Sequence, residues 1–353
     1  MEILGQESID IRDWYHFIGT CSSATVSHLP EWSRILKNSF GYKPLTLFAK
    51  NSDGLVCGIL PLFLVKSPLI GSRLVSSPFF PVSGPLVTSD KAIAPIIEEA
   101  KKLSTRFKCS YLEIRLLNNL AQDKILPYCK NNGFEVNNNF FGYSIPLTKS
   151  EIIWNELSST RRWAIRKARK EGVSIRKSDS LNDIGLFFEL NLKAKQRLGV
   201  PGQPLIFFIN IFAELGKNCQ LYIAELKGKV IAGIITIKFN NTVLYGYGAT
   251  LEKYKSYQPS SLLLWTAIEQ YCQEGCTSFD LGRISVAEEG LARYKKNWGA
   301  KAQILDYCFF PHVPRSINLD PQGTKYKLIT GVWKKMPLPL ARIGSNIGFK
   351  HIG

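Results

Sequence analysis

The chain has 353 residues, 45% of them hydrophobic and 21% charged, and a formal net charge of +17. Its length exceeds the roughly 250–300 residues at which one core stops growing, so two domains are expected, and its composition excludes a disordered chain. The positive excess calls for an anionic partner such as tRNA, a phosphorylated lipid, a nucleotide-linked sugar or a membrane surface, or else reflects a generally basic surface with no special partner.

The first 13 residues carry Glu2, Glu7, Asp10 and Asp13 and lack the basic-then-apolar order of a signal peptide. The longest apolar run, residues 55–64, is interrupted by Gly58 and Pro61 and falls short of the ~20 residues that span a bilayer. A cytoplasmic protein that does not span a membrane is expected. Eight cysteines are scattered without a CxxC pair, so they read as reduced core residues. Cys272 and Cys276 lie one turn apart without a nearby histidine, and no metal site is expected.

In chain order, a helical stretch containing Trp32, Ile35 and Leu36 precedes two strands, 44–49 and 55–65, joined by the turn Asn51-Ser52-Asp53-Gly54. A helix over 92–107, a strand over 110–116, a helix over 120–132 ending at Gly133 and a strand over 141–147 follow. Thr148 and Glu151 have capping-box spacing for one helix, and a second runs over 160–171 with Gly172 as its stop. Strands over 221–226, 230–239 and 242–248, a helix from Pro259 to Gly275, a strand over 277–281, a short helix over 292–297 and a strand over 302–310 repeat the order of the first half. Asn132-Gly133-Phe134 and Trp298-Gly299 occupy equivalent places in the two halves. The repetition predicts an α/β (α+β) chain with two copies of one fold, each a mixed central sheet flanked by helices. The expected boundaries are an N-terminal domain over 1–148, a basic helical linker over 149–176, a C-terminal domain over 177–312 and a peripheral basic tail over 313–353. That tail holds Arg315, Lys325, Lys327, Lys334, Lys335, Arg342 and Lys350 against the single acid Asp320, together with Trp333.

Three stretches can carry chemistry. In Arg161-Arg162-Trp163-Ala164-Ile165-Arg166-Lys167-Ala168-Arg169-Lys170, helical spacing groups Leu157, Ala164, Ile165 and Ala168 as the buried stripe. Arg162, Arg166, Arg169 and Lys170 share another face, where guanidinium groups one turn apart suit phosphate; the alternative is a solvated helix face. Phe279-Asp280-Leu281-Gly282-Arg283 ends a strand with a glycine and a cation, at the strand end where open α/β sheets bind ligands. Asp280 serves there either in the chemistry or as a turn residue bonding its own backbone. In Tyr294-Lys295-Lys296-Asn297-Trp298-Gly299 an aromatic residue stands beside an ammonium. A lysine at that place can stabilise the oxyanion formed when an amine attacks an ester or thioester carbonyl, or can simply be solvated. Neither a Gly-x-Ser-x-Gly elbow nor a Cys/His pairing is present, which argues against hydrolase chemistry.

These residues resemble the FemABX family, whose members carry tandem GNAT-like domains. In the first half the resemblance rests on Val56-Cys57-Gly58-Ile59-Leu60-Pro61-Leu62 and Ser76-Ser77-Pro78-Phe79. At the junction it rests on the basic helix with Gly172-Val173, and in the second half on Pro259-Ser260-Ser261-Leu262-Leu263-Leu264-Trp265 and the Asp280 and Lys295 stretches. Leu281 and Ile284 depart from the usual Phe-Asp-Phe-Gly-Arg-Ser. The resemblance implies transfer of an amino acid from aminoacyl-tRNA to an amine of a peptidoglycan precursor, without permanent cofactor, metal or covalent enzyme intermediate. It places Lys295 near the transferred carbonyl with Tyr294 beside it, and Arg166 among the residues that bind the acceptor's phosphates. Arg283 joins the expected anion contacts. An acyl-CoA donor used in polysaccharide or lipid synthesis is the second reading. A non-catalytic protein that binds tRNA, or meets the inner membrane surface through its basic tail, is the third.

Overall fold

The computed structural model describes residues 1–68, 71–117, 123–314 and 324–351. The chain divides into two units, Met1–Phe141 with Gln303–Leu319 and His351–Gly353, and Gly142–Ala302 with Asp320–Lys350. The first holds a four-stranded antiparallel sheet and strands of a larger mixed sheet, the second a mixed sheet, and helices pack against the sheets in each.

The first unit runs β1 (Glu2–Gly5), α1 (Ile11–Thr20), α2 (Pro30–Phe40), β2 (Lys43–Pro44), β3 (Leu47–Lys50), β4 (Val56–Leu60), β5 (Phe63–Ser67), β6 (Gly71–Val75) and β7 (Leu86–Val87). It continues through α3 (Ile93–Arg106), β8 (Leu112–Leu117), α4 (Ile125–Asn131) and the start of β9 (Glu135–Pro146). The stretch 55–65, expected as one strand, is two. β4 joins the order β1-β3-β4-β7, whereas β5 lies between β2 and β6. Pro61 falls at the break, where a residue without an N–H cannot continue a ladder. The β3–β4 hairpin forms as read: Asn51 Oδ1 accepts from the Asp53 and Leu55 amides, and Gly54 takes φ 77°. α3 lays Ile93, Ile96, Ile97 and Ala100 at helical spacing into the core with Leu112, Ile114 and Cys308. The first residues of the expected helix over 120–132 lie outside the described residues.

The second unit begins with α5 (Ser150–Glu156), α6 (Ser159–Lys170), β10 (Ser174–Ser178), α7 (Leu181–Leu198) and α8 (Leu205–Leu215). There follow β11 (Cys219–Leu226), β12 (Lys229–Phe239), β13 (Thr242–Thr250), α9 (Pro259–Gln273), β14 (Ser278–Ser285), α10 (Glu289–Lys296) and the start of β15 (Lys301–Phe310). β10 to β13 pair antiparallel in order, and β14 then pairs parallel with β13. Helices cover both faces: Gly233 of β12 lies against Phe187 of α7, while Thr236, three residues on and so on the other face, meets the Tyr271 hydroxyl of α9. The expected capping box at Thr148 and Glu151 does not form, since α5 is capped at Lys149 without a side-chain bond. Ser158 caps α6 instead by accepting from the Arg161 amide.

The tail differs from its expected peripheral character. α11 (Thr324–Lys335) and α12 (Leu338–Gly348) pack on α7. Ala341, Ser345 and Phe349 are buried, the Ser345 hydroxyl accepts from the Gly202 amide, and Arg342 pairs with Glu189 at 2.5 Å. Small and apolar residues at helical spacing, hidden among the cations in the sequence, supply that inner face. Arg315 and Asp320, with the side chains of Lys325 and Lys327, lie outside the described residues. Among the described residues no helix is long and apolar enough to cross a membrane.

Candidate active site

The site forms where two parallel strands stop pairing. β13 and β14 are in register only from Thr242 opposite Ser278 to Leu244 opposite Asp280, although the strands continue to Thr250 and Ser285. On the other edge of β13 the register shifts: Ile235 faces Tyr247 and Thr236 faces Tyr245, so Gly246 is an extra residue. Such a bulge bends its strand. The C-terminal ends of β13 and β14 thus lie beyond their shared ladder, at the end where open α/β sheets take ligands. Tyr247 turns edge-on to Phe207 and Phe208 of α8, and burial pushes the phenols of Tyr245 and Tyr247 up.

Past that point β14 makes a sharp local turn. Asp280 Oδ1 accepts from the Gly282 amide at 2.7 Å, and Gly282 adopts φ 74°, a left-handed conformation open to glycine at little cost. The turn is the backbone role foreseen for Asp280. It presents the Gly282 carbonyl to α10, where Lys295 Nζ donates to it at 2.8 Å and to the Arg283 carbonyl at 3.5 Å. The same ammonium lies 5.4 Å from the centre of the Tyr143 ring. Lys295 is only 6% exposed. Burial lowers its pKa to about 8, against the opposing pull of Asp280 and Glu288. Asp280 is pushed up by burial, while the Gly282 amide and Lys295 draw it back. Asp280 and Lys295, fifteen residues apart, therefore share one electrostatic environment.

The basic helix is arranged otherwise than its charge pattern suggests. Ala164, Ile165 and Ala168 are buried as expected, with α6 packed on α9. Arg162 turns back to donate to the Leu157, Asn155 and Trp154 carbonyls at 2.6, 3.0 and 3.4 Å, closing the end of α5. Arg166 lies over the Trp154 ring and Arg169 pairs with Glu269 at 3.5 Å. Lys170 and Arg283 are exposed. The residue that reaches Tyr294 is Arg161, with its guanidinium 5.0 Å from that ring and Nη1 directed at Ser261 Oγ at 3.4 Å. Arg161 Nε is buried without a hydrogen-bond partner. Sequence reasoning missed it, yet the signal was there. Arg161 stands at helical spacing with Leu157, Ala164, Ile165 and Ala168, and an arginine in a buried stripe needs a partner.

A family model described as an acetyltransferase (GNAT) domain matches residues 158–296, which hold every predicted site residue. Over nearly the whole chain, the crystal structure of FemX superposes with a TM-score of 0.70, covering 94% of this chain and 100% of that one at 15% identity. The chain has the tandem GNAT fold, similar to that of FemX, with a GNAT domain over residues 158–296. The fold is similar also to that of a tandem GNAT protein from the clavulanic acid biosynthesis pathway, with a TM-score of 0.56 over 87% of this chain and 97% of that one at 11% identity. In sequence, the UDP-N-acetylmuramoylpentapeptide-lysine N(6)-alanyltransferase of Weissella viridescens is 22% identical over 106 residues, 29% of this chain. The match spans 32% of that relative's length.

Proposed function

We propose that the chain is an acyltransferase that moves an aminoacyl or other acyl group from an activated ester or thioester onto an amine of a phosphate-bearing cell-envelope precursor. The observation that carries this reading is the buried Lys295 ammonium held at the end of β14, beside the point where pairing with β13 ends. A neutral amine adds to the carbonyl carbon, the carbonyl electron pair moves to oxygen, and an ammonium fixed by backbone carbonyls is placed to donate to that oxyanion. Collapse of the intermediate breaks the bond to the leaving oxygen or sulfur, and the amine's proton passes to a carboxylate, Asp280 or one on the substrate. Arg161 on the Tyr294 ring supplies a fixed cation for a negative group of donor or acceptor. The exposed faces of Arg166, Lys170 and Arg283 add positive potential, whereas Arg162 and Arg169 contribute chiefly through their present partners in α5 and α9.

Aminoacyl-tRNA is the favoured donor, supported by the alanyl transfer that the Weissella relative's name states. Acyl-CoA is the second reading, supported by the acetyltransferase description of the matching domain. A screen with charged tRNA and with acyl-CoA, each with amine acceptors, decides between them: deacylated tRNA or free CoA thiol appears together with acylated acceptor. Lys295→Met is expected to lower turnover by roughly 10²-fold while leaving the far-UV spectrum unchanged. Full activity in that variant removes Lys295 from the chemistry, and transfer with neither donor class leaves only a binding role.

A further inference from the structure

α12 is apolar on two sides, and only one of them is used. Ala341, Ser345 and Phe349 face the second unit and are buried, whereas Leu340, Ile343 and Ile347 are 55%, 55% and 59% exposed. At about 100° per residue, positions 340, 343 and 347 fall within about 60° of one another and roughly opposite the buried stripe. A helix apolar on both sides is normally covered on both. Val332 near the end of α11 is another large aliphatic side chain in solvent, 59% exposed.

The charges carried by these two helices and the residues that follow them have one sign. From residue 324 to residue 351 the sequence holds Lys325, Lys327, Lys334, Lys335, Arg342 and Lys350 and no aspartate or glutamate. Lys334, Lys335 and Lys350 are exposed. Symmetric pairing with a second copy would bring this patch against itself and set cation against cation. An anionic bilayer meets both features at once: aliphatic side chains sink to the boundary between headgroups and acyl chains, and lysines lie at the level of the lipid phosphates. We propose that the outer face of α11 and α12 docks the chain on an anionic lipid bilayer, with Leu340, Ile343 and Ile347 entering the interface and Lys334, Lys335 and Lys350 held at the phosphates. This goes beyond a basic tail attracted by charge, since the apolar stripe gives the contact a part that salt does not screen. The proposal stands apart from acyl transfer, because binding is measured without donor or acceptor.

Co-sedimentation of the full chain with phosphatidylglycerol/phosphatidylcholine vesicles and with phosphatidylcholine vesicles tests it. Binding to the anionic vesicles alone is expected. The variant Leu340→Ser, Ile343→Ser, Ile347→Ser should lose it, and Lys334→Gln, Lys335→Gln, Lys350→Gln should weaken it by roughly 10²-fold and leave a remainder insensitive to salt. As a second reading that needs no loss-of-binding variant, Ile343→Cys labelled with a polarity-sensitive fluorophore, against a labelled wild-type background, should shift to the blue on anionic vesicles. Wild-type sedimentation of the serine variant, equal binding to both vesicle types, or an unshifted fluorophore on bound protein each overturns the proposal. So does a concentration-dependent dimer in analytical ultracentrifugation that the serine variant abolishes, which would assign the face to a second copy.

Discussion

Lys295 is held by two backbone carbonyls in a site that disfavours its charge, and that conflict makes its behaviour measurable. With a folded-state pKa of about 8 against the ordinary 10.5, the folded chain releases this proton before the unfolded chain does. Lys295 therefore adds stability as pH rises from about 8 towards 10.5, where the unfolded state binds more protons. Activity should move the other way if the ammonium is the oxyanion donor, falling as pH rises through about 8. Lys295→Arg, which keeps the charge throughout, should remove that falling limb from a pH profile of kcat; persistence of the limb would assign it to another group. Asp280→Asn gives a sharper check, because the amide oxygen can still accept from Gly282 while the charge that favours protonated Lys295 is gone. The falling limb should shift to lower pH in that variant. An unmoved limb would show that the two residues are not coupled. Sequence spacing was enough to single out Asp280 and Lys295, because strand-end turns and aromatic-lysine pairs are local patterns. Arg161 was not singled out, because its role depends on Tyr294 and Ser261, which lie 133 and 100 residues away in sequence.

At the scale of elements, most strands and helices follow from periodicity and from local punctuation such as Gly54, Gly172 and Pro259. Besides α1, β10 and α7, which the sequence reading leaves unassigned, two kinds of feature escape it. α8, Leu205–Leu215, is apolar along nearly its whole length, and a continuous apolar run of that size has no period by which to tell helix from strand. Close approaches between distant elements are the other kind. Gly199 ends α7 at φ 81°, and a Cβ there would lie 2.8 Å from the backbone oxygen of Thr330 in α11. Gly199→Ala should thus destabilise the chain by at least about 1 kcal/mol, through backbone strain and collision together. Urea denaturation measures this, and an unchanged midpoint would mean that α11 moves aside at little cost.

For the molecule as a whole, the order of the sequence and the membership of the units do not coincide. The chain passes from the first unit to the second between Phe141 and Gly142, and back between Ala302 and Gln303, before supplying α11 and α12 to the second unit. A chain ended after His312 lacks the helices that cover α7, including the Arg342 guanidinium stacked over Phe188. Its main calorimetric transition should fall by several degrees, whereas an unaltered transition would show that α11 and α12 add nothing to the second unit. The two-fold repetition of architecture was legible in the sequence. The return of the final helices to the second unit was not, since such a return depends on which face of α7 needs covering.

The pairing of β15 with β8, from Leu305 opposite Leu117 to Phe310 opposite Leu112, has a consequence for the order of assembly on the ribosome. Domains that occupy one continuous stretch can fold as they emerge, the earlier before the later. Here the sheet built from residues near the start lacks a strand until residue 310 has been made, by which time most of the second unit has already been synthesised. The edge of β8, with its Leu and Ile residues, therefore stays open through about 190 residues of further synthesis, a period in which it is available to the wrong partner.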